Sequence, residues 1–171
     1  MKVTLGQLRV EPGVPFDNLN RAKKLYEQAI AEGSDLLLLP EMALPGYLLG
    51  DLWERPSFIR EVLAAQDEMK SWTEKSSTAI AFGGLGVDEQ KKGEDGRCRK
   101  YIAFYLAQAG QWIGPEGGPY SFSVKTLLPN YREFDDGRHF CRASHLAEEL
   151  NLQLKDLIAP HALKVKDRAW R

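Results

Sequence analysis

Asp35-Leu36-Leu37-Leu38-Leu39-Pro40-Glu41-Met42-Ala43-Leu44-Pro45-Gly46-Tyr47 is the stretch that decides the fold class. Four consecutive leucines with no polar alternation describe a strand buried on both faces, as parallel strands of α/β sheets are. Pro40, Pro45 and Gly46 stop the strand and open a loop at its C-terminal end. Upstream, Val3 to Val10 alternates loosely and reads as a strand, closed by Pro12, Gly13 and Pro15. Asp17 is a candidate N-cap for a helix that places Leu19, Ala22, Leu25, Tyr26, Ala29 and Ile30 at helical spacing. Gly33 stands where a helix C-cap belongs. Strand, helix, strand in the first 40 residues is an α/β unit.

Downstream of the loop, Ser57 to Lys75 carries a second helical pattern in Phe58, Val62, Ala65, Met69 and Trp72. Thr78 to Gly84 is apolar and ends in glycine, which predicts a third strand. Val87 to Arg99 is polar and reads as an exposed turn, and Tyr101 to Ala107 and Gln111 to Ile113 fit strands. A hairpin joining Thr78–Gly84 to Tyr101–Ala107 follows from that order. Ser144 to Leu150, with Ser144 as N-cap, and Leu152 to Ile158 read as short helices.

The 171 residues hold 23 Lys plus Arg against 24 Asp plus Glu, a formal net charge of −1. A nucleic-acid binder would show a clustered basic excess, so that class is excluded as an expectation. Hydrophobic residues at 43% with low net charge exclude a disordered chain. No basic leader precedes an apolar run, and no run approaches a membrane span, so the expectation is a cytoplasmic protein with no membrane partner. Cys98 and Cys141 lack zinc or redox spacing, and His139, His145 and His161 form no metal pattern.

Three features carry chemistry. Glu41 follows the buried strand directly, at the position where open α/β sheets place ligands. Its apolar neighbours predict partial desolvation and a raised pKa, suited to a general base; the other reading is a carboxylate on an exposed loop. Lys125, within Phe122-Ser123-Val124-Lys125-Thr126-Leu127-Leu128-Pro129, is either an edge gatekeeper or an inward cation that steadies an oxyanion. Pro129 to Arg138 is a polar loop in which Arg132 or Arg138 could pair with Glu133, Asp135 or Asp136, and Tyr131 or Phe134 could line a pocket.

Taken together, Leu39-Pro40-Glu41-Met42-Ala43-Leu44-Pro45-Gly46-Tyr47, Gly50-Asp51-Leu52 and Lys125-Thr126-Leu127-Leu128-Pro129-Asn130-Tyr131-Arg132-Glu133-Phe134-Asp135-Asp136 resemble the nitrilase (carbon–nitrogen hydrolase) superfamily. Within it they are most similar to the glutaminase domain of glutamine-dependent NAD synthetase. The resemblance implies an α/β fold of the nitrilase-like α-β-β-α sandwich type, incomplete at its C-terminal side. Residues 1–171 would then be the N-terminal portion of a glutamine amidohydrolase domain. It implies amide hydrolysis by a Glu–Lys–Cys triad, with Glu41 as general base, Lys125 as the cation facing the tetrahedral intermediate, and Tyr131 lining the glutamine pocket. Ammonia would pass to a separate synthetase domain. That domain's ATP and magnesium would not belong to this chain, which has no pyrophosphate-binding loop and needs no cofactor. Half a sandwich predicts a homo-oligomer or a partner chain.

The sequence departs from the family in two places. The family nucleophile sits in a Cys-Glu-Asp context on a strand after the lysine loop, and no such segment occurs here. Cys141 follows Lys125 by only 16 residues, and Cys98 precedes it. The tail from Ser144 to Ile158 and from Leu163 to Arg171 resembles the lead-in to that strand. Ile102 stands where the family often has asparagine. Two other readings remain open: a non-catalytic nitrilase-like binding or assembly module, and an unrelated hydrolase using Cys141 with His139 or His145.

Overall fold

The computed structural model describes residues 1–93 and 96–165, and the backbone of residues 168–170. The elements in chain order are β1 (Val3–Leu5), α1 (Pro15–Ala31), β2 (Leu36–Leu38), α2 (Pro56–Ser71), β3 (Ala79–Lys92), β4 (Cys98–Gln108), β5 (Gln111–Trp112), β6 (Ser123–Val124), α3 (Asp136–His139), α4 (Ala143–Glu149), β7 (Leu163–Val165) and β8 (Arg168–Trp170). Short 3₁₀ turns cover Gly50–Glu54 and Leu154–Ile158.

Six strands form one sheet in the order β1-β2-β3-β4-β5, with β6 on the β5 edge of β4. The first three are parallel and linked by α1 and α2, as two β-α-β crossovers require. β3 and β4 form the long antiparallel hairpin expected from the sequence. It is longer than the sequence indicated. The polar stretch after Val87 is strand to Lys92, because cross-strand pairing tolerates charge on an exposed ribbon. The first strand is shorter than expected, ending at Leu5.

Helix boundaries follow proline and glycine. Pro15 takes the first position of α1, so Val14 is the N-cap and Asp17 lies inside the first turn, where its charge complements the helix dipole. Gly33, at φ +67°, turns the chain out of α1 as expected. Ser144 is likewise inside α4, whose N-cap is Arg142.

α1 and α2 cover one face of the sheet. Leu19, Ala22, Tyr26 and Ala29 of α1 and Ala65 and Met69 of α2 pack on Leu37, Ile80, Phe82, Tyr105 and Ala107. On the opposite face Leu163 and Val165 of β7 pack with Ala79, Ala81 and Leu106. Elsewhere on that face Leu85 and Ile102 are buried with Met42, Trp53 and Phe140, whereas Val3, Leu5 and Phe104 are exposed. The β2 leucines are therefore sealed on one side only, Leu37 buried and Leu36 and Leu38 half-buried. The tail resolves into α4, a 3₁₀ turn and the β7–β8 hairpin; Lys166, Asp167 and Arg171 of the expected lead-in lie outside the described residues. Among the described residues no helix is long and apolar enough to cross a membrane.

Candidate active site

β2 ends opposite Ala81, so the edge of β3 beyond that point needs other partners. The loop after β2 supplies the first of them. The Gly83 N–H donates to the Pro40 carbonyl at 3.1 Å, and the Ala43 N–H donates to the Gly83 carbonyl at 3.0 Å. This close approach needs a glycine: a Cβ on Gly83 would stand 2.5 Å from Glu41 Cα. Further along, the Gln66 amide accepts from the Leu85 N–H at 2.7 Å and donates to the Leu85 carbonyl at 3.0 Å. From the helix side, the buried Asn18 amide donates to the Leu44 carbonyl at 2.7 Å. Met42 is held at φ +50° and Leu48 at +61°. Left-handed backbone at non-glycine residues is sustained only where surrounding contacts fix it. The loop that carries Glu41 is thus pinned to β3 through Gly83 and to α1 through Asn18.

Lys125 continues the β6 ladder, its N–H donating to the Ile102 carbonyl at 2.9 Å. From there its ammonium meets Glu41, with Nζ 2.9 Å from Oε1 and 3.2 Å from Oε2. Nζ also donates to the Tyr47 hydroxyl at 3.4 Å and lies over the Tyr47 ring. Burial and the Glu41 carboxylate push the Tyr47 phenol above its usual range, so it stays protonated. The Lys125 ammonium thus faces Glu41 and Tyr47, with its side chain 27% exposed. Glu41 is more exposed than its apolar sequence neighbours imply, its side chain being 44% exposed.

The pair borders an open cavity of about 290 Å³ with Leu38, Gly83, Phe104, Ser123 and Val124. Tyr131 is 63% exposed and does not line it. It packs on Phe134, whose ring meets the Tyr47 ring edge-on at 6.2 Å, so the aromatic chain runs from Tyr131 to the ammonium through two neighbours. Arg138 pairs with Asp51 rather than with an acid of its own loop. Sequence reasoning missed Asp136 as a site residue. It is buried, and its Oδ2 has no hydrogen-bond partner among the described residues. Burial raises its pKa, the Lys125 ammonium opposes that, and the Glu41 carboxylate adds to it. The sequence signal was its adjacency to Asp135, which hid which of the two points inward.

Both cysteines lie elsewhere. Cys141 and Cys98 line a separate cavity with Arg99, Lys100 and His145. Burial pushes the Cys141 thiol up, its contact with His145 Nδ1 is long at 3.8 Å, and His139 is held by Glu54 at 2.6 Å. The Cys141–histidine hydrolase therefore has no activated thiol to work with. Among the described residues no group of three His, Cys, Asp or Glu side chains could hold a metal ion.

No family model matches the chain. It is 32% identical over 140 residues to the glutamine-dependent NAD(+) synthetase of Thermotoga maritima, covering 82% of this chain and 22% of that one. It is also 32% identical over 146 residues to the enzyme of the same name from Synechocystis sp., covering 83% and 24%. Among solved structures, the amidase of Nesterenkonia sp. AN1 from the nitrilase superfamily superposes with a TM-score of 0.64 at 21% identity, over 83% of this chain and 48% of that one. The glutamine-dependent NAD+ synthetase of Acinetobacter baumannii does so with a TM-score of 0.61 at 24% identity, over 81% and 23%. The fold is nitrilase-like. By sequence the chain is a homologue of the glutamine-dependent NAD(+) synthetases over about four fifths of its length, and it spans less than a quarter of theirs.

Proposed function

We propose that this chain carries the base-and-cation half of a carbon–nitrogen hydrolase site that acts on glutamine and supplies ammonia for NAD synthesis. The observation that carries the reading is the Glu41–Lys125 contact of 2.9 Å beside the cavity, in a chain whose relatives are named for glutamine dependence. Residues 1–171 would be the N-terminal portion of the glutaminase domain. ATP and magnesium would serve a synthetase domain outside this chain, and the setting would be the cytoplasm.

Glu41 is proposed as general base and Lys125 as the cation facing the developing oxyanion, with Tyr131 reaching the pair only through Phe134 and Tyr47. A thiolate attacks the side-chain amide carbon, Glu41 passes the thiol proton to the leaving nitrogen, and ammonia departs. Water then attacks the thioester, giving its proton to Glu41; the C–S bond breaks, Glu41 returns the proton to sulfur, and glutamate is released. The Nesterenkonia amidase has an active-site cysteine by the description of its acrylamide adduct. In this chain neither Cys98 nor Cys141 borders the cavity, which supports a thiol supplied from outside residues 1–171.

The test is calorimetric titration of the chain with glutamine, paired with an ammonia assay. The expected outcome is binding without thiol-dependent turnover. Lys125→Met should weaken that binding about tenfold, a loss of about 1.4 kcal/mol. Turnover that disappears in both Glu41→Gln and Cys141→Ser would overturn the placement of the nucleophile. The exposed Val3, Leu5 and Phe104 favour a second reading, an assembly module that pairs with another copy. A folded chain that elutes as a dimer and does not bind glutamine would support it instead.

A further inference from the structure

Ser123 and Lys125 are two residues apart on one strand, so both point to the open face of the sheet, about 7 Å apart along it. Ser123 is paired in register with Phe104 and borders the same cavity as Glu41 and Lys125. Its hydroxyl lies 2.7 Å from His161 Nε2. His161 Nδ1 lies 2.5 Å from the Ile113 carbonyl oxygen, and its ring stands edge-on to Phe104 at 5.2 Å. A backbone bridge between Pro115 and His161 fixes the segment that carries the imidazole.

The tautomer follows from these partners. A carbonyl oxygen only accepts, so Nδ1 carries the hydrogen. Nε2 is then the lone-pair nitrogen, and the Ser123 hydroxyl donates to it. Burial lowers the His161 pKa, which keeps the imidazole neutral and available as a base at pH 7. A hydroxyl bound to a base, with the base oriented by a third group, is the arrangement that activates a serine nucleophile.

We propose that Ser123 and His161 form a second, serine-based acyl-transfer site in this cavity, taking small carboxylic esters with good leaving groups. Ser123 Oγ bonds to the acyl carbon as its proton passes to His161 Nε2, and the oxyanion forms on the face that carries Lys125. The ester C–O bond then breaks and the leaving oxygen takes the proton from the imidazolium. Water attacks the acyl-serine, gives its proton to Nε2, and Ser123 leaves with that proton, so that ester and water yield acid and alcohol. The third group is a neutral carbonyl, which stabilises an imidazolium less than a carboxylate would. That restricts the site to activated esters and sets it apart from amide hydrolysis.

The inference does not rest on the glutamine reading, and its test has its own readout. The folded chain is treated with an alkyl fluorophosphonate, which forms an Oγ–P bond at an activated serine and releases fluoride, and the labelled peptide is located by mass. The expected result is stoichiometric label on Ser123, none in Ser123→Ala, unchanged label in Cys141→Ser, and at least tenfold slower labelling in His161→Gln. Should His161→Gln fail to fold, trapping the acetyl group from p-nitrophenyl acetate on Ser123 of the unmodified chain gives the same information. An unlabelled Ser123 in a chain that melts cooperatively, or labelling no faster than in the urea-unfolded chain, overturns the proposal. The hydrogen bond would then only fasten the C-terminal segment to the sheet.

Discussion

At the scale of single residues the site is a matter of which charges have partners. Glu41 and Lys125 neutralise each other at 2.9 Å, whereas Asp136, buried close by, keeps one oxygen without a hydrogen-bond partner among the described residues. Its folded pKa is raised, chiefly by burial, so the ionised form is disfavoured in the folded state. That penalty grows as the pH rises above the carboxyl's unfolded value and disappears once the pH falls below it. Asp136→Asn keeps the shape without the charge. It should stabilise the chain at pH 7 by about 1 kcal/mol, with the gain vanishing near pH 3, as read from urea midpoints at both pH values. A constant gain across that range would show that the carboxylate is not strained. Glu41 and Lys125 were legible in the sequence because each is a charge set in an apolar run. Asp136 was not, because burial of one of two adjacent aspartates depends on how Pro129–Arg138 folds back. Ser123 and His161 were not either, since 38 residues separate groups that only the β4 register brings together.

At the scale of elements, the order from β1 to β5 was readable, and so was the hairpin, because periodicity and glycine or proline punctuation are local signals; β6, α3, β7 and β8 were not. Nor was the way β3 finds partners past the end of β2. Gly83 and Gly84 read as strand-ending glycines, yet β3 runs on to Lys92 and both glycines lie inside it. Their meaning is contact: Gly83 admits the Glu41 backbone, and a Cβ on Gly84 would collide with the Gln66 amide. Gly83→Ala must push the Glu41 loop off the sheet or bend β3. It should cost about 2 kcal/mol in thermal or urea unfolding and weaken glutamine binding through the displaced carboxylate. Retained stability together with unchanged binding would show that the loop is not anchored there.

At the scale of the whole molecule, the carboxylates that tie the chain beyond the hairpin to the sheet determine how it responds to acid. Glu149 of α4 takes Arg99 at 2.6 Å and Lys91 at 2.9 Å, and these hold its carboxyl down at about 2. Glu54 loses part of that advantage to burial. Its bonds with His139 and Lys100 and the charge of Arg97 nevertheless keep its pKa below the ordinary value. A carboxyl depressed in the folded state contributes stability above its unfolded pKa and loses it as the pH falls toward the folded one. His161 has the opposite charge type but acts in the same direction. It is buried neutral with its pKa lowered, so the unfolded chain takes up its proton first, and stability drops as the pH falls below about 6.5. Unfolding free energy should therefore fall in two stages, the first as the pH drops below about 6.5 from His161, the second below about 4.5 from Glu149 and Glu54. Glu149→Gln should lower stability at pH 7 by about 1 kcal/mol, since its side chain is partly exposed, and flatten only the second stage. His161→Gln should flatten only the first. Urea midpoints measured from pH 7 to pH 3 separate the two, and a single stage centred on ordinary carboxylate titration would show that neither contact holds the C-terminal segment to the sheet.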